Sequence, residues 1–204
     1  MGRDKALLPF AGRPLVAYAL SILRDAGLSA SIAGAHPSAR ASLADLAPVV
    51  DDPEPGLGPL AGICAALRSA AAPYAVFLPV DLPLLPASLL AYLLYHARVT
   101  SLAITVPSIA GFAQTFPAVI ARSALDGLQD ALKTGAGGCF SAFRSASASL
   151  KQPVSAIAVE VLVQSGHVTH PCALQPLRWF LNLDTPADLR RAEALISRPG
   201  RRVA

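Results

Sequence analysis

Sulfur and the largest aromatic side chain are scarce in this sequence: three cysteines, one methionine and one tryptophan in 204 residues. Cys64, Cys139 and Cys172 lie far apart with no Cys-x-x-Cys spacing. That excludes a disulfide framework or a cysteine-based zinc site and leaves buried thiols as the expected fate. His96, His167 and His170 have no spacing suited to metal ligation or to a catalytic base. Aromatics make up 6% and are not interleaved with basic residues, so no nucleic-acid partner is expected. No apolar run reaches the roughly 20 residues needed to span a bilayer, and no signal peptide opens the sequence. No membrane association is therefore expected, and the protein is expected to be soluble and cytoplasmic. Nothing in the pattern sets an oligomeric state.

Charge is also sparse. Charged residues make up 15% against 53% hydrophobic ones, which excludes general disorder and supplies enough apolar side chains for one sizeable core. The net charge is +4, and much of the excess lies in the last fifteen residues, at Arg190, Arg191, Arg198, Arg201 and Arg202. This balance suits an acidic small-molecule ligand. Residues 1–197 read as one domain and residues 198–204 as a basic tail.

Strands and helices alternate along the chain. Helical spacing covers residues 14–26, 38–46, 60–71, 82–98, 123–132 and 139–149. Strand-like runs cover 28–33, 48–50, 101–106 and 115–120, and residues 74–80 read as a buried central strand. Residues 156–163 fit either type and lean to strand by their β-branched content, while 178–182 read as extended. Thr185 is placed to cap a last helix over 186–196, with Pro186 at its first position. The alternation predicts an α/β fold: an open, mainly parallel sheet covered on both faces. Right-handed crossovers would gather the loops that follow the strands on one rim, where such sheets bind ligands. Residues 1–5, 51–62 and 81–86 are all loops of this kind.

Each of these loops has an ordinary reading and a chemical one. Lys5 and Arg3 place two cations on a glycine-containing stretch, which is either a solvated turn or a phosphate-facing loop. Asp81 directly follows the strand and is held by Leu82-Pro83, so it either caps the next helix or presents a carboxylate at the rim. Asp51 and Asp52 precede the turn-rich run Pro53-Glu-Pro-Gly-Leu-Gly-Pro59, either a plain polar loop or one side of a pocket.

Taken together, these segments resemble the nucleotidyltransferases that include the molybdenum cofactor guanylyltransferases, the MobA-like proteins. Met1-Gly-Arg-Asp-Lys5 matches the end of their motif Leu-Ala-Gly-Gly-x-Ser-x-Arg-Met-Gly-x-Asp-Lys; the sequence opens at the Met inside it and lacks the preceding strand and double glycine. Asp81-Leu-Pro-Leu-Leu-Pro86 resembles the family's Asp-x-Pro-x-Leu-Pro, and Gly58-Pro-Leu-Ala-Gly62 its Gly-Pro-Leu-Ala-Gly block. Asn182-Leu-Asp-Thr-Pro186 resembles its Asn-x-Asp-Thr-Pro element. Around His36 the family often carries an asparagine, so no role is carried over there.

The resemblance implies a Rossmann-like three-layer sandwich that transfers GMP from GTP to molybdenum-bound molybdopterin, with Mg²⁺ as cofactor. Asp81 would hold the metal against the triphosphate, since Mg²⁺ takes one or two carboxylates plus phosphates and water. Lys5 would offset charge on the β- and γ-phosphates, with Arg3 in support. Asp51, Gly58, Pro59 and Leu60 would line the base pocket, Asp51 accepting from guanine's N–H groups. Asn182 would contribute to ligand binding. Asp184 would either help hold metal or the pterin phosphate's surroundings, or brace the last helix. The Gly-Pro-Leu-Ala-Gly block favours guanine over cytosine. Cytidylyl transfer, transfer to a sugar phosphate, a non-catalytic nucleotide-binding role and a carrier role in cofactor assembly stay open as alternatives.

Overall fold

The computed structural model of the chain describes residues 4–51, 58–135 and 137–196. A 3-10 turn at Lys5–Leu7 leads into a small hairpin of β1 (Pro9–Phe10) and β2 (Arg13–Pro14), then helix α1 (Leu15–Asp25). Pro14 is the N-cap of α1, its fixed φ of −59° compatible with entry to the helix. Gly27, with φ +76°, ends it: Gly27 N–H donates to the Arg24 carbonyl and Leu28 N–H to the Leu23 carbonyl, the paired bonds of a Schellman stop. Next come α2 (Arg40–Ala44), α3 (Pro59–Ser69), β3 (Tyr74–Phe77) and α4 (Ala87–Thr100). The second half holds β4 (Ile104–Ile109), β5 (Phe112–Ala113), β6 (Ala118–Ala121), α5 (Leu125–Lys133), α6 (Gly138–Ser149), β7 (Ser155–Ala158), α7 (Val159–Gln164), α8 (Pro176–Trp179) and α9 (Pro186–Ile196).

The main sheet runs β3-β6-β4-β5, with β7 also paired to β4. Its strands sort their side chains by alternation. Ala75, Phe77, Ile104, Val106, Ala118 and Ile120 face a cluster built with α3, α5 and α6. Val76, Ile109, Val119 and Ile157 face a second cluster built with α4, α7 and Trp179. The α/β layering expected from the sequence is therefore present, with helices on both faces.

The expectation of a mainly parallel sheet is wrong. The β3–β6, β4–β6 and β4–β5 pairs are antiparallel, and β4–β7 is parallel. The reason lies in a connection with no helix. A parallel return needs a crossover of roughly a dozen residues or more, and the chain between β4 and β6 is shorter. Ala110 (φ +50°) and Gly111 (φ +81°) instead form a two-residue turn with Ile109 opposite Phe112, the geometry whose twist matches paired strands. The chain reverses and β6 inserts antiparallel between β3 and β4.

Other expectations shift as well. Ile32 and Val49 form a single parallel bridge where two strands are predicted at 28–33 and 48–50. Residues 74–80, predicted as a central strand, pair only with β6 among the described residues, and Tyr74–Phe77 are half-buried. The 156–163 run divides into β7 and α7, because Val159 and Leu162 sit at helical spacing and are buried. The 178–182 run overlaps helix α8 instead of being wholly extended, since Pro176 starts a turn that buries Trp179. The turn-rich loop at 52–57 and the arginines at 198, 201 and 202 lie outside the described residues.

Two smaller clusters position the loops of interest. Ala6, Val16, Leu20, Ala39 and Leu43 pack with Leu7, Ile32, Val49 and Val80. Phe10, Leu15, Leu84, Leu183 and Ala192 form the other, joining the opening segment, the turn after Asp81 and helix α9.

Helix α5 lies against α6 at Gly127, where an added Cβ would fall 2.8 Å from the Ala146 Cα and 2.9 Å from the Ser149 Oγ. Gly127→Ala gains about 1 kcal/mol of helix propensity but forces backbone apart at a cost of about 1–3 kcal/mol. The variant is expected to be less stable in urea unfolding; equal or greater stability would contradict this packing.

Candidate active site

Lys5 is presented by the 3-10 turn, whose start is capped by Asp4: the Ala6 N–H donates to Asp4 Oδ1 at 2.9 Å. Leu7 and Leu8 N–H groups close the turn on the Asp4 and Lys5 carbonyls. The backbone under Lys5 is thereby held while its four-carbon side chain stays able to move. Its Nζ donates to Asp81 Oδ2 at 2.8 Å and to Asp184 Oδ1 at 2.6 Å.

Asp81 stands in the turn between β3 and α4, followed by buried Leu82, Leu84 and Leu85. Those leucines fix the turn by packing, and the neighbouring prolines limit its backbone. Asp184 lies just before α9 and is tied to the same turn through the backbone, since Leu183 N–H donates to the Asp81 carbonyl at 3.1 Å. His170 adds a second tie: its Nε2 lies 3.0 Å from the Leu84 carbonyl and its Nδ1 accepts from Cys172 N–H. With Nδ1 as acceptor, Nε2 is the donor. Burial lowers the pKa of His170, which keeps the ring in this neutral form.

The cluster is partly open: side-chain exposure is 30% for Lys5, 25% for Asp81 and 63% for Asp184. Burial pulls the Lys5 pKa down, but the bonds to Asp184 and Asp81 and their charges outweigh it and hold the group above the usual lysine value. The ammonium is thus fully charged at neutral pH. Two carboxylates on one nitrogen also offer the oxygen donors that a hard divalent cation takes. Among the described residues no group of three or more His, Cys, Asp or Glu side chains is poised for a metal. An ion here would take its other ligands from water and substrate, as Mg²⁺ does and a caged structural ion does not.

The remaining predicted residues are not gathered onto this nitrogen. Asp51 is 87% exposed and ion-paired with Arg40. With Val49, Val50, Ala65, Arg68 and Ser69 it lines a cavity of about 420 Å³ that includes none of Lys5, Asp81 and Asp184. Gly58 is the N-cap of α3 with φ +78°, Pro59 occupies the first turn exposed, and Leu60 is buried beneath it. Asn182 is exposed next to buried Leu183. The predicted residues therefore fall into two groups, a Lys5–Asp81 centre beside Asn182 and an Asp51 side by α3. Sequence reasoning left Asp184 between two roles and missed Arg40. The first was signalled only by the Asp-Thr-Pro element, and the second carried no signal.

A lysine and two carboxylates thus gather beside the turn that follows a sheet strand, on an α/β fold, an arrangement of charge that suits a phosphate-bearing ligand. The family is that of the MobA-like NTP transferase domain, whose profile matches residues 1–153; the chain belongs to it and so to the nucleotidyltransferases. The chain is 34% identical over 206 residues to the molybdenum cofactor guanylyltransferase of Rhizobium meliloti, covering 95% of this chain and 85% of that protein. It is 42% identical over 95 residues to the enzyme of the same name from Xanthomonas euvesicatoria, covering 46% of this chain and 47% of that protein. The chain thus spans about half the length of that relative. The solved structure of molybdopterin-guanine dinucleotide biosynthesis protein A from Archaeoglobus fulgidus superposes with a TM-score of 0.74 at 23% identity, covering 96% of this chain and 92% of that one. Among the described residues no helix is long and apolar enough to cross a membrane.

The segment carrying Asp184 is braced by a reciprocal cap on α9. Thr185 N–H and Oγ1 both reach Asp188 Oδ2, and Asp188 N–H returns to Thr185 Oγ1. The Thr185 side chain and then its backbone N–H lower the Asp188 pKa. A lowered carboxyl pKa stabilises the fold above the unfolded carboxylate value, and that contribution is lost as pH falls through the folded value. Asp188→Ala is expected to melt below the wild type at neutral pH, the gap closing as acid protonates the cap. Thermal melts with a gap independent of pH would contradict the ionised cap.

Proposed function

We propose that this chain is a guanylyltransferase that moves GMP from GTP onto the terminal phosphate of molybdenum-bound molybdopterin, releasing pyrophosphate. The observation that carries the reading is the meeting of Lys5, Asp81 and Asp184 at one point beside the turn after β3. An oxygen of the pterin phosphate attacks the α-phosphorus in line. The bond from that phosphorus to the bridging oxygen breaks, and pyrophosphate departs with the electron pair. Both phosphates react ionised, so no residue needs to take a proton and no covalent enzyme intermediate is required.

Positioning and charge then carry the reaction. Lys5 donates to the β- and γ-phosphate oxygens, where charge accumulates as pyrophosphate leaves. Asp81 and Asp184 fit Mg²⁺, with Asp81, less exposed and fixed by its turn, as the principal ligand. When bound, that ion supplies positive charge against the triphosphate. Asp51 accepts from the ring N–H and amino group of guanine, and Gly58, Pro59 and Leu60 bring the start of α3 up to the base. Asn182 offers amide hydrogen bonds beside Asp184. Lys5, Asp81 and Asp184 thus handle the phosphates, and Asp51 with the start of α3 handles the base.

The test is transfer of label from α-labelled GTP, CTP or ATP to molybdenum-loaded molybdopterin. GTP is expected as donor, and Asp81→Asn should lose at least about a hundredfold in turnover with an unchanged thermal melt. Preference for CTP would contradict the guanine assignment. Near-normal turnover by the variant would remove Asp81 from the metal role, and GTP binding without transfer of label would point to a non-catalytic nucleotide-binding relative.

A further inference from the structure

Lys5 holds the position that a shared cation would take. Its nitrogen stands 2.8 Å from an Asp81 oxygen and 2.6 Å from an Asp184 oxygen, bridging the two carboxylates that meet it among the described residues. A divalent cation bonded to Asp81 would stand within a few ångströms of this ammonium, where like charges repel strongly in a partly desolvated site. The same lysine cannot neutralise both carboxylates and reach along a triphosphate at once. Its backbone is pinned by the Asp4-capped turn, so the side chain alone has to swing. A compact ammonium on a flexible stem suits such exchange better than a planar guanidinium locked in a fork.

We propose that Lys5 is an exchangeable counterion: it occupies the Asp81–Asp184 pair in the ligand-free protein, and a divalent cation replaces it there as it moves to the β- and γ-phosphates. The proposal rests on the reading of Asp81 as metal-holding. Its consequence is coupling in both directions. A polyphosphate that draws Lys5 away uncovers the carboxylates for the metal, and a metal on the carboxylates releases Lys5 for the polyphosphate.

The experiment measures Mn²⁺ binding by electron paramagnetic resonance on the full chain, without nucleotide, for wild type, Lys5→Met, Lys133→Met and Asp81→Asn. Lys133, exposed on α5 and paired with Asp130, controls for the loss of one positive charge. Lys5→Met is expected to bind Mn²⁺ about tenfold more tightly than wild type, with Lys133→Met unchanged and Asp81→Asn without binding. Metal-free pyrophosphate should bind Lys5→Met about tenfold more weakly. Lys5→Gln serves as a second variant should Lys5→Met fail to fold. Measurable Mn²⁺ binding that is no tighter in the Lys5 variants overturns the exchange and leaves the metal reading standing. No Mn²⁺ binding by wild type or by either Lys5 variant overturns both.

Discussion

The candidate site depends on one ammonium held by two carboxylates. Lys5 reaches Asp81 across 76 residues of sequence and Asp184 across 179, so three distant segments meet at a single nitrogen. Such partly exposed ion pairs contribute only about 0–1 kcal/mol each to stability. Burial of Phe10, Leu15, Leu84 and Leu183 in the cluster beneath contributes more, about 1.5–3 kcal/mol per large side chain. The apolar cluster therefore brings the segments together, and the charges above it are free to serve chemistry. A site whose ion pairs also had to hold the fold could not exchange partners when a ligand arrives.

Layering, loops and site follow from one another. Alternating side chains on β3, β4 and β6 demand helices on both faces, and Asp81 stays partly open in the otherwise buried turn after β3. The segment before α9 reaches that turn because Leu183 is buried with Leu84 and its N–H bonds the Asp81 carbonyl. Family membership agrees with this arrangement, since transfer between phosphates asks for positioned charge more than for an acid or a base.

Much of this was legible in the sequence where the signal was local. Proline and glycine punctuation marked α1 and α9, and Thr185 was read correctly as a cap because a hydroxyl before a proline-initiated helix has few other uses. Lys5 and Asp81 were singled out by motif, and their direct contact gives that choice a geometric basis. Strand direction was not legible by the same means. Periodicity reports which face a residue takes but not which way its strand runs, and the missing helix between β4 and β6 was the overlooked clue. Asp184 was undecided because its partner lies near the other end of the chain, and Arg40 went unnoticed because a lone surface arginine looks like any other.

The most direct measurement is affinity cleavage with Fe²⁺ in place of Mg²⁺, in which radicals generated at the bound ion cut the nearest backbone. Cuts close to Asp81 and Asp184, suppressed by excess Mg²⁺, are the predicted result. Cuts confined to the region of Asp51 and Arg68, or spread without a centre, would contradict a metal and phosphate site built around Lys5.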